Sequence, residues 1–148
     1  MAKITQAIHE LGPLIQCALS ASSEREKILK IEGKPIPARL HDLIALIDTG
    51  SDSVLIDSKH IALLQLPVRS LIKKAGTVDG ESKRYRTKCE IGLIIPLDDK
   101  KVRWDGSAYC DDGLAENCEF DMIIGRSVLS ALNLHYDGPN CIFTISHG

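Results

Sequence analysis

The sequence lacks the features of membrane proteins and of nucleic-acid-binding proteins. No apolar run is long enough to cross a bilayer, and the short apolar stretch after Met1 is interrupted by His9, Glu10 and Gln16. We therefore expect neither a transmembrane segment nor a signal peptide. The formal net charge is only -2, so the chain also lacks the positive excess that attracts nucleic acids or anionic membranes. We expect no nucleic-acid partner and no membrane partner.

Metal-binding patterns are also missing. The five histidines form no pair with ligand spacing, and no Cys-x-x-Cys occurs. The acidic stretch of residues 111–119 lacks the ligand spacing of a calcium-binding EF-hand. The sequence therefore predicts no metal and no cofactor. The five cysteines are an odd number without a disulfide framework, which favours reduced thiols and a cytoplasmic location.

Length and composition predict one globular domain over residues 1–148. Of these residues 44% are hydrophobic and 26% are charged, which is ordinary for a globular protein. The first 27 residues are the hardest to assign. Residues 12–19 are typical of a strand, residues 4–11 could present a short helical face before it, and residues 20–27 are polar and predict a loop.

The tripeptide Asp48-Thr49-Gly50 is the first motif with chemical meaning. Apolar, β-rich segments at residues 45–47 and 55–56 flank it, so we predict a tight turn whose carboxylate lies at a strand end. Gly50 would let the main chain approach a partner carboxylate or a substrate, and the Thr49 hydroxyl could lock the turn. The tripeptide alone is not specific, because the same residue types favour any surface turn.

A second motif, Ile123-Ile124-Gly125-Arg126, ends a predicted strand and precedes a short amphipathic helix. Together with the Asp-Thr-Gly turn and the closing turn and strand at residues 135–145, it resembles the retropepsin-like aspartic proteases. The resemblance covers residues 43–145. It implies an all-β fold, namely the closed β-barrel lobe of an acid protease with one short C-terminal helix over about residues 126–132.

The same resemblance implies roles for individual residues. Asp48 would be the catalytic residue, and Thr49, Gly50 and Ser51 would form the active-site turn. Asp52 would form a structural ion pair with Arg126.

The resemblance and the presence of a single Asp-Thr-Gly together predict a homodimer. A two-carboxylate mechanism needs a second aspartate, and the chain contains no internal repeat that could supply it. A two-fold axis would place Asp48 opposite its own copy. The expected function is an aspartic endopeptidase that hydrolyses peptide bonds of a peptide or protein substrate with a water activated by the two carboxylates. The alternative is a catalytically silent protein that keeps the fold for dimerisation or peptide binding.

A hairpin arm is predicted between the two motifs. Alternation resumes from Tyr85 after a polar tip bracketed by two glycines. In position this tip matches the family's flap, a mobile hairpin that covers the substrate. An ordinary solvated hairpin is the alternative. The predicted flap residues are Gly76, Thr77, Val78, Asp79 and Gly80.

Overall fold

The structure is a computed structural model that describes residues 2–77 and 80–148, with the backbone alone described for residues 71–77 and 80–86. Within these ranges the strands are β1 (Ala2–Ala7), β2 (Leu14–Ala21), β3 (Leu40–Ile47), β4 (Val54–Asp57), β5 (Arg69–Thr77), β6 (Gly80–Pro96), β7 (Lys101–Asp111), β8 (Met122–Ile124), β9 (Asn133–Asp137) and β10 (Ile142–His147). The helices are α1 (Ser23–Ile31), α2 (Ser58–Leu63), α3 (Leu114–Cys118) and α4 (Arg126–Leu129). The predicted all-β class is confirmed, because half of the residues lie in strands.

Six of the strands close a barrel in the order β2, β3, β8, β4, β7, β6, since β6 pairs with both β7 and β2. β6 is 17 residues long, and only its second half belongs to the barrel. Its first half pairs with β5 in an antiparallel hairpin that we call the arm. β1, β10 and β9 form a separate antiparallel sheet.

The barrel and the three-stranded sheet share one hydrophobic core. Phe143 and Ile145 of β10 are fully buried in it, together with Ile15 of β2 and Ile91 of β6. Burial of such side chains contributes about 1.5–3 kcal/mol each to folding. The short strands β4 and β8 also contribute buried residues to this core, which holds both strands in place.

The first 31 residues differ from the sequence-based expectation. The helical face predicted over residues 4–11 is wrong, because residues 2–7 form β1 and pair with β10 in register. The loop predicted over residues 20–27 is also wrong, since most of it belongs to α1. The Ser22 hydroxyl accepts a hydrogen bond from the Arg25 amide at 3.1 Å and thereby caps this helix.

The single helix predicted near the C-terminus is one of four in the described chain. It is shorter than expected, because α4 covers residues 126–129 rather than residues 126–132. Two further short helices, α2 and α3, lie beside the C-terminal end of β4. Asp57 holds the start of both, since its carboxylate accepts hydrogen bonds from the amides of Lys59 at 3.0 Å and Ala115 at 2.7 Å.

Candidate active site

The Asp-Thr-Gly segment links β3 to β4, and β8 lies between these two strands. β8 runs parallel to β3, with Ile47 opposite Ile124, and antiparallel to β4. The Asp48 amide continues the β3–β8 ladder by donating to the Ile124 carbonyl at 3.0 Å. The apolar runs that predicted two strands thus place the half-buried Asp48 at the end of a paired strand.

The turn is held by hydrogen bonds to Asp48 itself. The Gly50 amide donates to Asp48 Oδ1 at 2.9 Å, and the Ser51 amide donates to the Asp48 carbonyl at 3.2 Å. A Cβ at position 50 would lie 3.2 Å from Asp48 Oδ1, which is closer than nearly all real contacts of this kind. A glycine at this position therefore leaves room for the carboxylate.

Gly125 brings the second motif against the same turn. It is buried, and a Cβ there would collide with the carbonyl oxygens of Ser51 and Ser53. The next two amides donate to the turn: Arg126 to the Ser51 carbonyl at 2.8 Å, and Ser127 to the Asp52 carbonyl at 3.1 Å. The structure thus brings together two motifs that are more than 70 positions apart in the sequence.

The side chains of Arg126 and Asp52 both contact the turn. Arg126 Nη1 donates to the Thr49 carbonyl at 2.7 Å, and Asp52 Oδ1 accepts from the Ser53 hydroxyl at 3.0 Å. Both residues are exposed in the single chain, as is Thr49. The ion pair between Asp52 and Arg126 stays a prediction. Their exposure makes this surface available to another molecule.

The predicted flap lies at the end of the arm. Gly76 and Thr77 belong to β5, Gly80 belongs to β6, and Thr77 is paired with Gly80. Val78 and Asp79 lie outside the described residues. The hairpin predicted from the alternating pattern is therefore present. A role as a flap stays a prediction.

A second polar cluster, which the sequence did not reveal, lies at the opposite end of β8. Asp121 Oδ1 is 2.9 Å from His60 Nε2, and Asp121 Oδ2 accepts from the Ile44 amide at 2.8 Å. The Asp121 carbonyl also accepts from the Asp57 amide at 3.1 Å. His60 is buried in α2, so we interpret this cluster as a junction of α2, β3, β4 and β8.

Asp57 adds a perturbed carboxyl to this junction. Its burial acts to raise its pKa, but the amide hydrogen bonds from Ala115 and Lys59 favour the ionised form more strongly. The net result is a pKa below the ordinary value of 3.8. The sequence contained one signal for this role, because an aspartate directly before a helical segment is a common N-cap.

The described residues include no group of three or more histidine, cysteine or acidic side chains arranged to hold a metal ion. Among the helices that the structure describes, none is long and apolar enough to cross a membrane. A comparison with protein-family models found no match, and a comparison with curated protein sequences found none either.

Proposed function

We propose that this protein is an aspartic endopeptidase of the retropepsin-like type that acts as a homodimer. The observation that carries the proposal is the half-buried Asp48 carboxylate, held at a strand end by the Gly50 amide. Gly125 packs closely against the backbone of the same turn. The backbone contacts between residues 51–53 and residues 125–127 support it, because they join the two motifs that resemble this family.

The dimer follows from the number of carboxylates that the chemistry needs. One chain contributes a single Asp-Thr-Gly turn. The residues around it, including Thr49, Gly50 and Arg126, are exposed and could lie at a two-fold axis. Such an axis would bring the two copies of Asp48 together at the boundary between the subunits.

Two aspartates about 3 Å apart cannot both be ionised, so the pair shares one proton over an acidic to near-neutral range. The ionised member removes a proton from a water held between the two carboxylates. The protonated member polarises the scissile carbonyl and then helps the amine to leave. The water attacks directly, so no covalent intermediate with the enzyme forms. The arm would cover the bound peptide, exclude bulk water and orient the scissile bond. We place this activity in the cytoplasm, where cysteines are kept mainly as thiols and disulfides are transient.

The test is cleavage of an unstructured protein substrate by the wild type and by Asp48→Asn, from mildly acidic to neutral pH. Asparagine keeps the size of the side chain and the acceptor for the Gly50 amide, but it cannot ionise. We expect cleavage by the wild type and no cleavage by Asp48→Asn. Asp99→Asn is the matched control, because Asp99 is exposed and lies in the turn between β6 and β7, away from β8.

Mixing the wild type with Asp48→Asn tests the shared site. If subunits exchange freely, an equal mixture contains about a quarter wild-type dimers and should show about a quarter of the activity of the same total amount of wild type. If the mixture instead shows half of the activity of the same total amount of wild type, each chain works alone. Equal cleavage by the wild type and Asp48→Asn would overturn the catalytic assignment of Asp48, whereas no cleavage by the wild type would favour the silent dimerisation or peptide-binding protein.

A further inference from the structure

Two buried cysteines face each other where the arm leaves the barrel. The β5–β6 pairing of the arm ends with Arg69 opposite Lys88, and the β6–β7 pairing of the barrel begins at Thr87. Cys89 of β6 and Cys110 of β7 are diagonal neighbours across these strands, with 3.8 Å between their sulfur atoms. Both residues are buried, with 3% of Cys89 and 6% of Cys110 exposed.

We propose that Cys89 and Cys110 are a redox modification site and form a reversible intramolecular disulfide. The proposal rests on their juxtaposition and does not depend on the peptidase activity. A disulfide needs the two sulfurs to approach from contact distance to about 2.05 Å. The sulfurs are already in contact, but diagonal neighbours lie farther apart than directly opposed residues, so the disulfide needs a shift of β6 against β7 as well as rotation of the two side chains.

The protonation states of the two thiols favour the reaction. The two sulfur atoms are within hydrogen-bonding distance of each other, and this contact together with a hydrogen bond from Thr87 lowers the pKa of Cys110 below its ordinary value. The same contact with Cys110 raises the pKa of Cys89 above its ordinary value. Contact between the two sulfurs favours a single thiolate in the pair, and in the proposed reaction Cys110 is the attacking thiolate and Cys89 the resolving thiol.

Cys17 provides an internal comparison. It is as deeply buried, but its sulfur lies 3.6 Å from the Met122 sulfur and 3.7 Å from the Leu43 carbonyl rather than beside a second thiol. Burial, with the nearby negative charge of Asp121, raises the pKa of Cys17 to about 12. Burial alone would thus make a cysteine of this barrel inert, so the reactivity must come from the pairing.

A cavity of about 280 Å³ borders one member of the pair. Cys89 lies on its wall, together with Ile28 of α1 and Arg69 and Lys88 at the base of the arm. A small oxidant in this cavity would lie beside Cys89 and would need a local opening of the strands to reach Cys110. The sulfur of Cys110 lies only 3.8 Å from that of Cys89.

Hydrogen peroxide supplies the oxidising equivalents. The Cys110 thiolate attacks one peroxide oxygen, the O–O bond breaks, and the departing hydroxide takes a proton to become water. The Cys89 sulfur then loses its proton and attacks the resulting sulfenic sulfur, which expels a second hydroxide that leaves as water. Two thiols and one peroxide thus yield one disulfide and two waters. A dithiol such as dithiothreitol restores both thiols by exchange.

The test oxidises the full-length reduced protein with hydrogen peroxide, blocks the remaining thiols with an alkylating reagent after denaturation, and measures the intact mass. We expect two fewer alkyl groups, a peptide map that joins Cys89 to Cys110, and full recovery after dithiothreitol. The rate should rise with pH, because the thiolate and not the thiol attacks the peroxide.

Cys110→Ser and Cys89→Ser should each abolish this intramolecular link. Cys141→Ser is the matched control, because Cys141 is exposed and lies in the turn before β10, and it should leave the link unchanged. The wild-type peptide map decides the matter even if a variant fails to fold. A link through Cys118 or Cys141, oxidation of single cysteines to sulfinic acid, or no loss of alkylation would each overturn the proposal.

Discussion

The two ends of β8 hold the same kind of residue in opposite situations. At one end, Asp48 is half-buried, and its Oδ1 accepts a hydrogen bond from Gly50 within its own turn. At the other end, Asp121 uses one oxygen for the Ile44 amide and the other for buried His60. The first carboxylate is held by local backbone, whereas the second joins separate elements of the fold.

This difference distinguishes the carboxylate that we propose to be catalytic from one that connects elements of the fold. A substitution at Asp48 breaks no described hydrogen bond between elements, because the described contact of its carboxylate is with the Gly50 amide of the same turn. A change in the charge of Asp121 weakens contacts to both β3 and α2. The expected effects of mutation are therefore opposite at the two ends: loss of activity at Asp48 and loss of stability at Asp121.

The largest expected effect is on catalysis at Asp48. Asp48→Asn should lower peptide cleavage by at least about a hundredfold, because the general base and acid are lost. The free energy of unfolding should change by no more than about 0.5 kcal/mol, since the acceptor for Gly50 remains. Urea denaturation and cleavage measured on the same preparations check both expectations. A strongly destabilised Asp48→Asn would show that this carboxylate is structural as well.

Asp121→Ala should have the largest effect on stability. It leaves the Ile44 amide and buried His60 without their acceptor, and such losses cost about 1–3 kcal/mol for each group. We expect a loss of about 3 kcal/mol in urea denaturation. Asp99→Ala, at an exposed site, should stay within about 0.5 kcal/mol of the wild type. An equally small effect of Asp121→Ala would show that the Asp121 carboxylate does not stabilise the fold.

Gly125→Ala should affect both properties, because Gly125 packs directly beneath the Asp48 turn. The added methyl group meets the carbonyl oxygens of Ser51 and Ser53, and overpacking of this kind costs about 1–3 kcal/mol. The turn must shift, so cleavage should fall as well. Gly138→Ala is the matched control, since a Cβ there would make an ordinary contact at 3.7 Å with Tyr136. Equal stability of the two variants would contradict the packing argument.

The sequence predicted the Asp48 end well because its signals are local. Apolar runs on both sides of the tripeptide placed Asp48 at a strand end, and the structure has β3 and β4 there. The closure of the barrel is a different matter, since it depends on β6 pairing with two strands at once. No periodic pattern specifies which strands meet, so the strand order was not predicted from the residues.

The Asp121 end could not be predicted, because its partners are distant in the sequence. Asp121 is 61 positions from His60 and 77 positions from Ile44, and neither pairing leaves a pattern in the residues. Helix α1 was missed for another reason. Its signal was local, with Ser22 as the cap and Glu24 and Glu26 in the first turn, but the polar composition was interpreted as a loop.

Asp57→Asn should produce a smaller, pH-dependent loss at the Asp121 end. In the wild type, the pKa of Asp57 in the folded state lies below its value in the unfolded state. The unfolded state therefore binds more protons in acid, and stability rises with pH. The contribution is complete above the unfolded value of about 4 and disappears as the pH falls through the lower folded pKa.

At neutral pH, Asp57→Asn should cost about 1–2 kcal/mol, because an asparagine oxygen can accept from only one of the two helix amides without presenting its own N–H to the other. The difference from the wild type should shrink below about pH 4 in urea denaturation curves. A difference that stays constant from neutral to acidic pH would show that ionisation of Asp57 does not contribute.

The smallest effect on the single chain is expected at Asp52 and Arg126. Substitutions there test whether the predicted ion pair stabilises the fold of the monomer or the dimer. Both side chains are exposed, so their interaction should contribute about 1 kcal/mol or less to the unfolding of the monomer. A subunit interface over the Asp48 turn would bury them, and loss of either partner would then leave an uncompensated charge that costs about 3–5 kcal/mol in dimer affinity.

Arg126→Ala, Asp52→Ala and the double variant should therefore unfold almost like the wild type at low concentration, yet dimerise far more weakly in sedimentation. The two losses in dimer affinity should be strongly non-additive, because the second substitution removes a partner that is already unpaired. Additive losses, or unchanged dimerisation, would separate these residues from the interface and from each other.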